Sequence, residues 1–243
     1  MNIAGVDIGP DQPCRIVAEI SNNHNGELST CLRLIRECAE AGADFVKFQC
    51  YTPDELVILR GGGPAPEPWG SEGWTMRDLY KKAQTPHNWF PDIVAYCESL
   101  GIPWFSSVFG DESMRLLESL DCPAYKISAL DNATEFAGDM ACTSKPLLMS
   151  LRGHENLTTD SADFFLDCPE GYPQTEGYDR DFGPGFSYHG NSWREPRAAI
   201  ANGCELIEVH VQLDDCPSEL EAGVSLTVGQ LKRLCAFAEM WTP

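Results

Sequence analysis

Short apolar runs recur along this chain, separated by longer stretches whose apolar residues fall three and four apart. The runs at 15–19, 45–49, 104–107, 124–127, 147–150, 164–166, 186–188 and 206–211 are too short for helices. They read as buried strands of a parallel sheet, which lack the polar alternation of a half-exposed strand. Between them the periodicity predicts helices over 28–41, 86–100, 111–120, 195–202 and 228–240. In the first of these, Cys31, Leu32, Ile35, Cys38 and Ala39 repeat at helical spacing and mark the face that turns inward. Eight strands alternating with helices in 243 residues predict one α/β domain over 1–243, a (β/α)8 barrel of the TIM type.

Two connections depart from that alternation. The segment between Ser150 and Phe164 is polar and too short for a full helix, and the segment between Cys168 and Gly185 carries three Gly and three Pro. The barrel is therefore expected to be trimmed around strands five to seven, with one or two outer helices missing. After the second strand, the run Gly61-Gly-Gly-Pro-Ala-Pro-Glu-Pro-Trp-Gly70 belongs to a long insert that reads as irregular loop. There is no internal repeat and no linker.

Composition narrows the partners. A formal net charge of −20 argues against nucleic acid and against anionic membrane, both of which demand a basic face. Any anionic substrate must then be drawn by a local group of Lys and Ser. The eleven cysteines contain no Cys-x-x-Cys, and Cys14, Cys50, Cys122 and Cys204 lie in or beside apolar runs, where a thiol acts as a small hydrophobe. The chain opens without a basic start and a long apolar stretch, and no apolar run approaches the ~18 residues of a membrane span. A cytoplasmic protein with reduced cysteines is expected.

The last residues of the strands carry the chemistry. They are Glu19; Lys47 with Gln49; Ser106 and Ser107; Lys126 with Ser128; Ser150; Ser187 with His189; and Glu208 with His210. A barrel gathers its C-terminal strand ends around one mouth, where active sites are built. Lysines inside strands must be paired or employed. Two of them with several hydroxyls suit a phosphate or carboxylate. The imidazoles of His189 and His210, at the ends of neighbouring strands, suit a divalent metal beside the substrate.

With these residues in hand, the chain resembles the sialic acid synthase family. The runs that carry the resemblance are Ile16-Val-Ala-Glu-Ile-Ser-Asn-Asn-His-Asn-Gly26, Ala41-Gly-Ala-Asp-Phe-Val-Lys-Phe-Gln49, Phe105-Ser-Ser-Val-Phe109, Ala124-Tyr-Lys-Ile127, Lys145-Pro-Leu-Leu-Met-Ser150, Gly185-Phe-Ser-Tyr-His189 and Leu206-Ile-Glu-Val-His210. They keep the family's order and cover essentially the whole barrel. The resemblance implies condensation of phosphoenolpyruvate with a sugar-like aldehyde. Lys47, Ser107, Lys126, Ser150 and Ser187 would bind the donor, with Ser128 adjacent. His189 and His210 would hold Mn²⁺, or Mg²⁺ or Co²⁺, as Lewis acid toward the acceptor aldehyde. The donor's methylene would then attack, water would add at its C2, and phosphate would leave. Glu19 would assist at that carbon, Gln49, Asp131 and Glu208 would line the mouth, and Tyr172 and Glu221 would lie near the acceptor. Glu19, Lys47, Lys126 and Asp131 form the expected catalytic set.

The departures fall on the acceptor side. An acidic neighbour of the metal ligand is here Tyr188, a phosphate-binding serine is Ala129, and the stretch Ser150-Leu-Arg-Gly153 brings Arg152 to the rim. The sequence ends at Pro243, where the family continues into an antifreeze-like domain that lends an arginine to the partner's acceptor site. Arg152 would replace that charge in cis, the assembly would be a homodimer or higher homo-oligomer, and the acceptor would differ from N-acetylmannosamine. Two other readings stand beside this one: a metal-dependent aldolase or lyase that keeps the anion cradle, and a catalytically silent barrel serving as a partner subunit. Outside the site, His24 is read as a loop-ordering or substrate-contacting residue near the rim, and His87 as a surface residue.

Overall fold

The computed structural model describes residues 1–129, 143–152, 162–174 and 182–241. Each apolar run forms a strand. A short antiparallel hairpin, β1 (Asn2–Ile3) and β2 (Val6–Asp7), places Ile3 in the core and is tied to the first barrel strand by Arg15 Nε donating to the Asp7 carbonyl at 3.0 Å. The barrel strands follow as β3 (Arg15–Glu19), β4 (Phe45–Cys50), β5 (Trp104–Val108), β6 (Tyr125–Ile127), β7 (Leu147–Leu151), β8 (Phe164–Asp167), β9 (Gly185–Tyr188) and β10 (Leu206–Gln212). Neighbours pair in parallel in chain order, and β10 pairs with both β9 and β3, which closes the sheet into the expected barrel. A ninth strand, β11 (Ser225–Thr227), pairs in parallel with the end of β10.

The helices are α1 (Leu28–Glu40), α2 (Pro53–Arg60), α3 (Met76–Ala83), α4 (Phe90–Leu100), α5 (Asp111–Ser119), α6 (Arg194–Ala201) and α7 (Val228–Met240). On α1 the buried stripe is Cys31, Leu34, Ile35 and Cys38, while Leu32 and Ala39 are only partly covered. The insert after the second barrel strand is not the irregular loop expected, since α2 and α3 stand in it. Thr52 with Glu55 and Thr75 with Asp78 form reciprocal caps at their N-termini. Leu56 and Tyr80 of these helices join Tyr51 and Phe109, from the ends of β4 and β5, in a satellite cluster. The Glu55 carboxylate also accepts from the Glu112 and Ser113 backbone amides at 3.0 and 3.1 Å, so a resident anion fills the N-terminus of α5.

The expected loss of outer helices falls on 153–161 and 175–181, outside the described residues. The described cysteines are free thiols, all buried except Cys216, as small hydrophobes of the core should be. No helix among the described residues is long and apolar enough to cross a membrane.

Candidate active site

Strand register assembles the site. His210 stands beside Glu19, Glu19 beside Lys47, Gln49 beside Ser107, Ser107 beside Lys126, and Ser187 beside Glu208. Side chains alternate between the two faces of a strand, so these residues share the inner face. The contact that proves the point is Lys126 Nζ on Glu208 Oε1 at 2.8 Å, because β6 and β10 lie on opposite walls and meet only through the interior.

Four charges interlock there. Lys47 is ion-paired with Glu19, donates to Ser107 Oγ at 2.9 Å, and lies 3.6 Å from Glu208. Ser187 Oγ donates to Glu208 at 3.3 Å, and the Ser21 amide donates to the other oxygen of Glu19 at 2.7 Å. Lys47 is 1 % exposed, Glu19 0 %, Lys126 3 % and Glu208 3 %, so these interactions act in a low dielectric. Burial works against charge on Lys47, but the Glu19 and Glu208 carboxylates outweigh it and raise its pKa. At Lys126 burial prevails: with Lys47 adding to it, the pKa falls despite Glu208. Glu208 itself is pulled down to about 2, because Lys126 and Lys47 overcome the cost of burying the carboxylate. Of the buried side-chain atoms with no hydrogen-bond partner among the described residues, Ser150 Oγ and Glu208 Oε2 lie in this site, with the ion-paired Glu19 Oε2. Atoms of that kind are met by water or by a bound group, and the Ser150 hydroxyl is free to donate to one. Ser150 lies two residues beyond Leu148, the register partner of Lys126, and therefore faces inward toward the mouth.

Above the lysines sit the imidazoles. The rings of His189 and His210 are 5.1 Å apart between centroids and cross at 66°. His210 Nδ1 lies 3.0 Å from Glu221 Oε2, and Tyr172 donates its hydroxyl to the other oxygen of Glu221. The Tyr172 ring covers both imidazoles, at 5.0 Å from His189 and 6.0 Å from His210. His189 Nδ1 lies 3.8 Å from Cys168 Sγ. Burial, with the neighbouring His210, lowers the His189 pKa to about 3, whereas the Glu221 carboxylate overcomes burial and raises that of His210. Each ring engages a neighbour through Nδ1 and makes no hydrogen bond through Nε2 among the described residues. That is how second-sphere partners present a metal-binding nitrogen. Among the described residues no group of three His, Cys, Asp or Glu is arranged around one point, so the two imidazoles are the residues that could hold a metal here.

The other expected residues are dispersed. Gln49 Nε2 donates to Ser21 Oγ at 3.1 Å near the rim. Ser128 is half-buried beyond β6, and Arg152 is exposed beyond β7. Asp131 and His154 lie outside the described residues. Tyr188 does not face the mouth: it belongs to the outer core, and its hydroxyl donates to Glu195 Oε2 at 3.2 Å. A Cβ built at Gly190 would collide with that hydroxyl, so the tyrosine occupies the space that a side chain at 190 would need. That packing leaves the mouth alone.

His24 is wholly buried, with Nδ1 accepting from the Gly26 amide at 3.0 Å and its ring edge-on to Trp89, which makes it a loop-ordering residue. His87 is half-buried at the start of its helical turn, with Nε2 3.1 Å from the Tyr51 carbonyl. Sequence reasoning missed Cys168, Ser21 and Gln174. Cys168 is readable in retrospect, two residues past the last inward position of β8, but the Gln174 contacts depend on how a loop folds back.

The sequence pattern of the NeuB family matches residues 34–161, just over half of the chain. Pseudaminic acid synthase of Campylobacter jejuni (serotype O:23/36, strain 81-176) is 30 % identical over 257 residues, covering 92 % of this chain and 72 % of that enzyme. Pseudaminic acid synthase of Helicobacter pylori is 36 % identical over 143 residues, covering 57 % of this chain and 42 % of its own length. Among solved structures, the N-acetylneuraminic acid synthetase of Leptospira borgpetersenii superposes with a TM-score of 0.82 at 22 % identity, over 100 % of this chain and 88 % of that one, a likeness of fold. With a family match over half its length and a relative aligned along nearly all of it, the chain belongs to the NeuB family.

Proposed function

We propose that this chain condenses phosphoenolpyruvate with the aldehyde of a sugar or sugar-like acceptor, releasing phosphate, and that it does so with a divalent metal. The observation that carries the reading is the stacking of two chemistries in one barrel: a buried Lys47–Lys126 cradle with an unsatisfied Ser150 hydroxyl, directly beneath the His189–His210 pair. Lys126 and Ser150 bind the donor's anionic groups, while Ser107 and Ser187 hold Lys47 and Glu208 in place. Glu19, pinned by the Ser21 amide, faces the donor's C2, where it stabilises the positive charge that develops or orients the incoming water. Bound at the imidazoles, Mn²⁺ (or Mg²⁺ or Co²⁺) would supply Lewis acidity toward the acceptor's carbonyl oxygen. Tyr172 and Glu221 face the same opening and orient the acceptor.

The pseudaminic acid synthases that align with the chain support a nonulosonate-type product. The acceptor is accordingly an amino sugar other than N-acetylmannosamine. The test is a phosphate-release screen with phosphoenolpyruvate, Mn²⁺ and a panel of aldoses, amino sugars and their 6-phosphates. Release is expected to require all three components and to be fastest with an amino sugar other than N-acetylmannosamine. Metal-dependent cleavage of a keto acid without phosphate release would favour the aldolase or lyase reading, and no turnover with any aldehyde would overturn the proposal.

A further inference from the structure

His189 is the first residue beyond β9, and no strand partner fixes its backbone, since the β9–β10 ladder ends at Tyr188 beside Val209. One residue takes that role. Gln174 Oε1 accepts from the His189 amide at 3.1 Å, and the Gln174 amide donates to the His189 carbonyl at 2.7 Å. Two residues before Gln174, Tyr172 lays its ring across both imidazoles and reaches Glu221, which in turn holds His210. Both backbone groups of a candidate metal ligand are thus bonded to one glutamine, and that glutamine sits on the loop that covers the metal position.

We propose that Gln174 is a positioning residue: it locks the orientation of His189 and ties it to Tyr172, so that the metal position and the side chain over it are held as one unit. This rests on the metal-dependent reading above and assigns a determinant within it. A glutamine suits the task because its backbone sets the loop height while its side-chain oxygen reaches the amide that a strand would otherwise satisfy. Partners that orient a ligating histidine typically govern metal affinity by about 10- to 100-fold.

The experiment is a Mn²⁺ titration, read by the electron paramagnetic resonance signal of the free ion, on the full chain and on Gln174→Met, Gln174→Ala and Gln174→Glu. Methionine keeps the volume and removes the acceptor, and glutamate restores an oxygen. Gln174→Met and Gln174→Ala are expected to bind Mn²⁺ about tenfold more weakly, with Gln174→Glu at or below the wild-type dissociation constant. In turnover, KM for the acceptor should rise in the first two variants while binding of phosphoenolpyruvate stays unchanged, which also shows that the barrel is folded. Equal Mn²⁺ affinity in wild type and Gln174→Met overturns the inference and leaves the proposed reaction standing. A wild-type protein that binds no divalent ion overturns both.

Discussion

Replacing Lys126 with methionine weakens binding of phosphoenolpyruvate by about 2–4 kcal/mol, roughly 30- to 1,000-fold, because a charge-assisted contact disappears from a dry site. The two lysines are not equivalent. Lys47 is satisfied by Glu19, Ser107 and Glu208, whereas Lys126 contacts only Glu208 among the acidic residues of the site. Its lowered pKa, caused by burial and by the neighbouring Lys47, marks an ammonium short of negative charge. An arriving phosphate or carboxylate supplies that charge, so the donor's affinity should depend on Lys126 more steeply than on any single serine. Methionine keeps most of the side-chain volume and separates charge from packing. Isothermal titration with phosphoenolpyruvate measures the effect, and wild-type affinity in Lys126→Met would remove this lysine from the donor site.

The second large effect is on stability. Glu208→Leu should lower the unfolding free energy by about 3–5 kcal/mol, since removing one partner leaves buried charge uncompensated. Both lysines would remain in the interior, and Lys126 would have to give up its proton. The pH dependence has a definite sign. The folded-state pKa of Glu208, about 2, lies below the ordinary 4.5, so on acidification the unfolded chain takes the proton first. The carboxylate's contribution is therefore fully present above about pH 4.5 and is lost as the pH falls toward 2. Urea unfolding of wild type and Glu208→Leu should show a wide gap at pH 7 that narrows below pH 4.5. A gap that is constant across that range would mean that the ion pairs contribute nothing and that only volume was lost.

The barrel was legible because its signal is repetitive. Eight apolar runs with amphipathic stretches between them leave little other choice, and strand ends fell within a residue or two of expectation. The inward set followed from the strand ends: once Lys47, Lys126 and Glu208 are placed near the C-terminal ends of barrel strands, closure gathers them around one mouth. The insert was harder to read. Gly and Pro between 61 and 70 masked two short helices, although the Thr52–Glu55 and Thr75–Asp78 caps were there to be found. Tyr188 shows the limit of reading residues by their neighbours, since the position before His189 lies on the opposite face of the sheet. The pairing of Gln174 with His189 spans a loop, where no periodicity relates sequence distance to contact.

The central claim is that one barrel mouth holds phosphoenolpyruvate on Lys126 and Ser150 and a divalent metal on His189 and His210. A crystal structure of the full chain with phosphoenolpyruvate and Mn²⁺, collected at the manganese absorption edge, tests it most directly. The account predicts one anomalous peak about 2.1–2.3 Å from Nε2 of both imidazoles, with the donor's anionic groups against Lys126 Nζ and Ser150 Oγ. A donor bound elsewhere, or manganese away from both imidazoles, would contradict it.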